Sequence, residues 1–383
     1  MKLRVLALDT HTRQGLAVCR GLGRLGHEVG AAAYGRAPIA FSSRYVTRTH
    51  TLPDPSGDGH AFGAALGEVL ERHGYDAIVA CDDPTLARLA WLDLDIPSVP
   101  PGKRPFALLT DKVALSGVAA ASGVAYPPTF LATTSAELEL AIGSTGLPAV
   151  VKADRSATAL AGKVLYSKGA VVAWTESEAQ AAAAELNDSG FRAIVQQRVW
   201  TDHKVNAVII RRGGVSELRY VHRVLREIPR VGGMGITLKT IAPDGEEAGG
   251  AVAALEAVAD EAGYDGLVQA EFYVDREAGK TWLLDVNPRP WGSTWFVEKL
   301  GMKVMERAVE SALGRPQSEP PAYPLGRRFH HATSEWIWFR EKQSPPVAVL
   351  ALALDARRGD VYEYFDRSDM MPFARHVLRR LRS

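Results

Sequence analysis

Cysteine is nearly absent from this chain of 383 residues: there are two, Cys19 and Cys81. Both stand in apolar stretches at no metal-ligand spacing. That excludes a disulfide-stapled scaffold and a thiolate metal centre, and it suits a reducing cytoplasm. Charge of one sign is also lacking. Lys and Arg number 45 against 44 Asp and Glu, a net of +1, so there is no basic footprint for nucleic acid. No apolar run of about 18 residues occurs, and no membrane span is expected. The opening stretch MKLRVLALD turns charged too soon for a signal peptide. Internal repeats and low-complexity tracts are missing as well. What is present is an ordinary globular composition, 46% hydrophobic and 23% charged, with length for two or three domains.

Residues 1–102 alternate strand and helix patterns. LRVLALD (3–9) and VGAAAY (29–34) read as buried strands, and QGLAVCRGLGRLGHE (14–28) has helical periodicity between them. The β-α-β order predicts an α/β unit with a Rossmann-like parallel sheet. Within it, GLGRLG (21–26) matches G-x-G-x-x-G but falls about twelve residues past the first strand, inside the helix. A dinucleotide fingerprint belongs in the strand–helix turn, so these glycines are read as close packing of helix on sheet. The Pro-rich IPSVPPGKRP (96–105) marks a linker. Two α+β segments follow, 103–195 and 196–315, and RPQSEPPAYP closes the second. Residues 316–383 mix aromatic and basic character and suggest no role of their own.

The chemistry gathers in WLLDVNPRPWGS (282–293). Asp285, Asn287 and Arg289 alternate along a stretch that begins as an apolar strand. Side chains two apart share a face, so the two oxygens can reach one hard cation. Mg2+ takes oxygen ligands, often one or two carboxylates alongside phosphates. Glu271 lies on the preceding predicted strand, 266–275, joined to 280–287 through DREAGK, and is placed to complete the set. Taken singly, Asp285 and Asn287 would also serve to cap a turn before Pro288.

Together, AEFYVD and WLLDVNPRPWGS resemble the metal-binding signature of the ATP-grasp superfamily. The resemblance spans roughly 1–315 and implies an ATP-grasp core preceded by a pre-ATP-grasp domain. It implies ATP and one or two Mg2+ ions, with Mn2+ as a substitute, held by Glu271, Asp285 and Asn287. Lys112, Lys152 and Lys163 correspond to phosphate contacts. Gln196, Gln197 and Val199 correspond to the hinge that edges adenine, and Asp202 or His203 to the ribose position. DRSATALAGK (154–163) departs from the family's glycine-rich loop, with Gly162 as its one glycine.

In such enzymes ATP converts a carboxylate into an acyl phosphate that an amine attacks. Arg289, Arg226 and Arg230, with Gly232 and Gly233 of the loop after Pro229, are expected at the acceptor end, where a guanidinium suits carboxylate oxygens. The expected partners are a small carboxylate and an amine, and the resemblance allows a homodimer. Two other readings remain open here: a bicarbonate-using enzyme of the biotin-carboxylase or carbamoyl-phosphate type, and a non-catalytic ATP-binding module.

Overall fold

The computed structural model describes the whole chain except residues 1, 36–37, 93, 101–102, 161–162, 168, 202, 230–232, 342–343 and 383. The first sheet contains β1 (Arg4–Ala7), β2 (Glu28–Ala33), β3 (Arg48–Thr51), β4 (Ala77–Val79) and β5 (Ser98–Val99). All pair in parallel, in the order β3-β2-β1-β4-β5. Strands such as AIV and VGAAA are apolar on both faces because helices cover both faces. The strand order reverses between β1 and β4, where a crevice opens beyond the carboxyl ends of a doubly wound sheet. Asp9 ties that crevice together. Its carboxylate accepts the backbone N–H groups of Cys81 at 3.0 Å and Asp82 at 2.9 Å, and the Thr85 hydroxyl.

The helix Arg13–Arg24 starts on Thr12, whose hydroxyl accepts the Gly15 N–H. The GLGRLG glycines do permit close approach, but not to the sheet. A Cβ on Gly21 would lie 2.7 Å from the Glu298 carboxyl carbon, in the helix Thr294–Lys299. A Cβ on Gly23 would lie 2.5 Å from that of Tyr45. The expectation of helix-on-sheet packing is thereby corrected to helix against helix and loop.

The middle segment supplies β6 (Thr129–Leu131), β7 (Ala149–Ala153), β8 (Ala157–Leu160), β9 (Lys163–Tyr166), β10 (Val171–Ala173) and β11 (Ala193–Gln197). Strands β10-β7-β11-β6 form an antiparallel sheet, and β8 and β9 form a separate hairpin. The hairpin strands are 157–160 and 163–166, and β10 returns to the sheet edge beside β7. Two helices behind this sheet, Ser135–Thr145 and Glu176–Asp188, both begin with a capping box, Thr134 with Glu137 and Thr175 with Glu178.

The largest sheet contains β12 (Lys204–Arg212), β13 (Val215–Ile228), β14 (Met234–Ile241), β15 (Gly266–Asp275), β16 (Lys280–Asn287), β17 (Arg328–His330) and β18 (Val361–Tyr362). Its order is β16-β15-β12-β13-β14-β17-β18. One face packs the helix Ala251–Glu261 through Val205, Ala207, Ile209, Val268 and Phe272. The inner part of the other face, Val208, Ile210, Leu218 and Tyr220, joins a core shared with β1, β2 and β4. The C-terminal region is therefore no appendage: residues 328–330 and 361–362 extend this sheet.

Candidate active site

The strand pair 266–275 and 280–287 forms as the sequence predicts, with Glu271 directly opposite Asp285 and Gln269 opposite Asn287. The means differ from simple alternation. Phe272 pairs with Leu283, and Ala270 with Val286. All four face the core under the helix Ala251–Glu261. Leu283 and Val286 are three residues apart yet share a face, because a bulge inserts one residue between them. Without the bulge, Asp285 and Asn287 would point into that core. With it they turn to the cleft beside Glu271 and Gln269.

The cleft, of about 270 Å³, runs between the four-stranded and the seven-stranded sheet. Its walls include Lys112, Lys152, Gln196, Gln197, Val199, Lys204, Glu271 and Asp285. Lys112 is the first residue of the helix Lys112–Ala121. Asp111 caps that helix, accepting the N–H groups of Val113 and Ala114, and the Lys112 backbone N–H donates to Asp154. The Lys112 ammonium is thus set 3.8 Å from Asp285 Oδ1. Lys152 enters from β7. Burial and the neighbouring Lys112 lower its pKa to about 8, although Asp285 and Glu271 pull the other way. On the hinge, Gln196 donates its amide to Thr129 Oγ1 at 2.8 Å, which fixes how its side chain meets the cleft.

A second cavity of about 340 Å³ adjoins the first, and Ser156, Glu271 and Asp285 line both. Its other walls come from the crevice of the parallel sheet (Arg13, Gln14, Asp82, Asp83), the hairpin (Tyr166) and the site strands (Asn206, Gln269, Asn287, Arg289). Burial, then the Asp82 and Asp83 charges, raise the Tyr166 pKa to about 12. Arg289 is forked onto Asp83, Nε to Oδ1 at 2.6 Å and Nη2 to Oδ2 at 2.9 Å, and its Nη1 donates to Pro290. Arg289 therefore lines this second cavity with most of its donors already engaged.

The oxygen donors fit a hard divalent cation. Asn287 gives its amide nitrogen to Gln269 Oε1 at 3.0 Å, which leaves Asn287 Oδ1 for the cleft. Asn206 Oδ1 and Gln269 Nε2 are buried with no hydrogen-bond partner among the described residues, polar atoms set aside for something other than protein. Glu271, Asp285 and Asn287 thus offer three oxygens on one patch of sheet, the donor set Mg2+ prefers.

Several expected residues lie elsewhere. His203 Nε2 sits 2.6 Å from the Glu247 carbonyl oxygen, and the ring does not line the cleft, so the structure does not bring it to a ribose. Burial lowers its pKa. Lys163 is exposed at the start of β9 and lines neither cavity. Arg226 pairs with Asp355 at 2.6 Å and Glu335 at 3.2 Å, and stacks over Trp338 and Phe339. It faces a neighbouring depression with Glu227 and Trp338 rather than the cavity of Asn287 and Arg289, because the C-terminal helices claim its charge. Gly233 lies at the base of its loop, where a Cβ would meet the Pro229 carbonyl at 2.2 Å. Asp202, Arg230 and Gly232 lie outside the described residues.

Sequence reasoning missed Lys204, Asn206, Gln269, Asp83 and Arg13. For the first two a signal existed. KVNAVII alternates polar and apolar at its start, the same period that singled out Asp285 and Asn287. Lys204 is buried, its ammonium 2.7 Å from Glu271 Oε2. Burial opposes that charge, but Glu271 outweighs it and raises the pKa.

A parallel sheet followed by a four-stranded and a seven-stranded sheet with a cleft between them is the ATP-grasp arrangement, and the chain has that fold. It is similar to the ADP complex of PurK, an N5-carboxyaminoimidazole ribonucleotide synthetase, with TM-score 0.68 and 15% identity over 89% of this chain and 84% of that one. It is similar to the L-amino acid ligase from Bacillus licheniformis, with TM-score 0.65 and 16% identity over 85% and 78%. A third is the biotin carboxylase domain of Hydrogenobacter thermophilus 2-oxoglutarate carboxylase with MgADP, ADP and bicarbonate, with TM-score 0.65 and 16% identity over 86% and 74%. No family model matches the sequence, and no curated protein matches it.

Proposed function

We propose that the protein is an ATP- and Mg2+-dependent ligase that activates a small carboxylate as an acyl phosphate for attack by an amine. The observation that carries this reading is the shared floor of the two cavities. Glu271 and Asp285 line both the lysine-rich cleft and the polar cavity under the parallel sheet. A phosphoryl group leaving one and an acid waiting in the other would meet there.

In this reading Gln196, Gln197 and Val199 edge the adenine, and Lys112 and Lys152 hold the phosphates. Glu271, Asp285 and Asn287 hold Mg2+, which when bound neutralises charge on the transferred group. Arg13 and Arg289 face the acid. An acid oxygen attacks the γ-phosphorus, the bond to ADP breaks, and the acyl phosphate forms. The amine then attacks the acyl carbon, the C–O bond to phosphate breaks, and an amide and phosphate result. Lys112 and Lys152 oppose the charge that spreads over the phosphoryl oxygens, in a cleft where water screens it little.

Bicarbonate is the second reading, since one similar structure is a carboxylase domain holding bicarbonate. A cavity of about 340 Å³, walled by Arg13, Asp82, Tyr166 and Trp291, favours a larger acid. The test is phosphate release with ATP, Mg2+ and pools of acids and amines, using acids labelled with 18O. Label passing from acid to phosphate is expected. Release that needs bicarbonate alone would sink the first reading, and nucleotide binding without turnover would reduce the protein to a binding module.

A further inference from the structure

Lys204 stands in the cleft wall, and the proposed reaction gives it no work. It is the first residue of β12, paired in register with Tyr273 of β15, and its side chain is 8% exposed. Its ammonium lies 2.7 Å from Glu271 Oε2, 3.0 Å from the Gly233 carbonyl oxygen and 3.9 Å from Glu227 Oε2. All three neighbours are oxygens, two of them on carboxylates. This is the surrounding a hard cation would choose, filled by a cation of the chain itself.

We infer that the Lys204 ammonium takes the place on Glu271 that a second divalent ion would need, so that the nucleotide is held with one Mg2+ rather than two. The inference rests on the reading that Glu271, Asp285 and Asn287 hold the metal. Glu271 has two oxygens. Oε2 is committed to the ammonium, and an Mg2+ at its usual distance of about 2.1 Å from the same oxygen would crowd a like charge. Oε1 remains, with the Asp285 carboxylate and Asn287 Oδ1. Those oxygens, with phosphate and water, would hold one ion, and the Glu271 oxygen that a second would need is the one the ammonium occupies. Lys112 and Lys152 already line the phosphate side. The lysine also joins Glu271 to the carbonyl of Gly233.

The number of ions can be counted without turnover. The full chain is saturated with a non-hydrolysable ATP analogue and titrated with Mn2+, read by equilibrium dialysis and by electron paramagnetic resonance. One Mn2+ per chain with an isolated-ion spectrum is expected. Two ions per chain, or the spectrum of a spin-coupled pair, would overturn the inference whether or not any variant folds. Lys204→Met uncovers Glu271 and should admit a second ion, whereas Lys204→Arg should hold the count at one. A Lys204→Met protein that folds and still binds one ion counts against it. Glu271→Gln and Asp285→Asn report on the underlying reading separately, since each should weaken Mn2+ binding at least tenfold. If neither does, the metal site itself is misplaced and the inference falls with it.

Discussion

Arg289 and Asp83 stand 206 positions apart in sequence and meet in a forked ion pair, both nearly buried. The pair fastens the strand carrying Asp285 and Asn287 to the helix Asp83–Leu89 of the parallel sheet. Asp83→Ala would leave a buried guanidinium without its counter-charge, which costs roughly 3–5 kcal/mol. A large fall in the urea midpoint is expected, with acceptor KM raised in protein that remains folded. Unchanged urea unfolding would show that the two regions are held together in some other way.

A second long-range pair anchors the C-terminal segment. Arg20 is fully buried in the first helix and donates from Nε to Asp369 Oδ2 at 2.9 Å, and from Nη2 to the Asp369 and Tyr364 carbonyls. Asp369 also accepts the Ser43 hydroxyl and the Arg44 N–H. Asp369→Ala should cost about 3–5 kcal/mol, because the buried arginine stays charged without its hydrogen-bonded carboxylate. Adding Arg20→Met should return part of that loss, as it removes the stranded charge. Urea unfolding of the single and double variants measures both. A double variant no more stable than Asp369→Ala would refute the pairing as the cause.

The sequence reading did well where the signal is local and periodic. Buried apolar strands alternating with helices announced the parallel sheet, and the runs 266–275 and 280–287 form with those bounds. Asp285 and Asn287 were singled out because polar residues interrupted a strand, and Glu271 because it lies on the strand before it. Their shared face, however, depends on a bulge between Leu283 and Val286, and nothing in the residue types announces an extra residue there. Tertiary partners were illegible for the same reason. Arg226 was read as acceptor-binding from its neighbours Arg230 and Gly232. Its ion partners Glu335 and Asp355 arrive from 109 and 129 positions away. His203 was placed at a ribose by its position, and its ring is turned to the Glu247 carbonyl.

The lowered pKa of Lys152, about 8, should make ADP binding depend on pH. Phosphate favours the protonated lysine. Below pH 8 the ammonium is already present in the free protein, and affinity for ADP should be flat. Above pH 8 the free protein loses that proton and binding must restore it, so the dissociation constant should rise up to tenfold per pH unit. Calorimetry between pH 6.5 and 9.5 checks this, with proton uptake expected above 8. Lys152→Gln should bind ADP weakly and lose the dependence through this range. A variant that keeps the wild-type pH profile would assign the titration to another group.

Glu271→Gln and Asp285→Asn test the floor of the cleft by chemistry rather than by counting ions. Each keeps the shape of its side chain and removes one negative charge. For Asp285 this should cost little stability, since the carboxylate is partly exposed and its Lys112 contact is loose at 3.8 Å. Glu271 is different: its loss strips the buried Lys204 of its nearest counter-charge, so Glu271→Gln should also unfold at lower urea. Both should cut phosphate release by roughly 10²–10³, the scale seen when one group that stabilises developing charge is removed. Asp285→Asn therefore separates folding from chemistry: circular dichroism and unfolding close to wild type, with activity lost. If Asp285→Asn keeps full activity, the carboxylate that the bulge turns toward the cleft is not a ligand in the reaction.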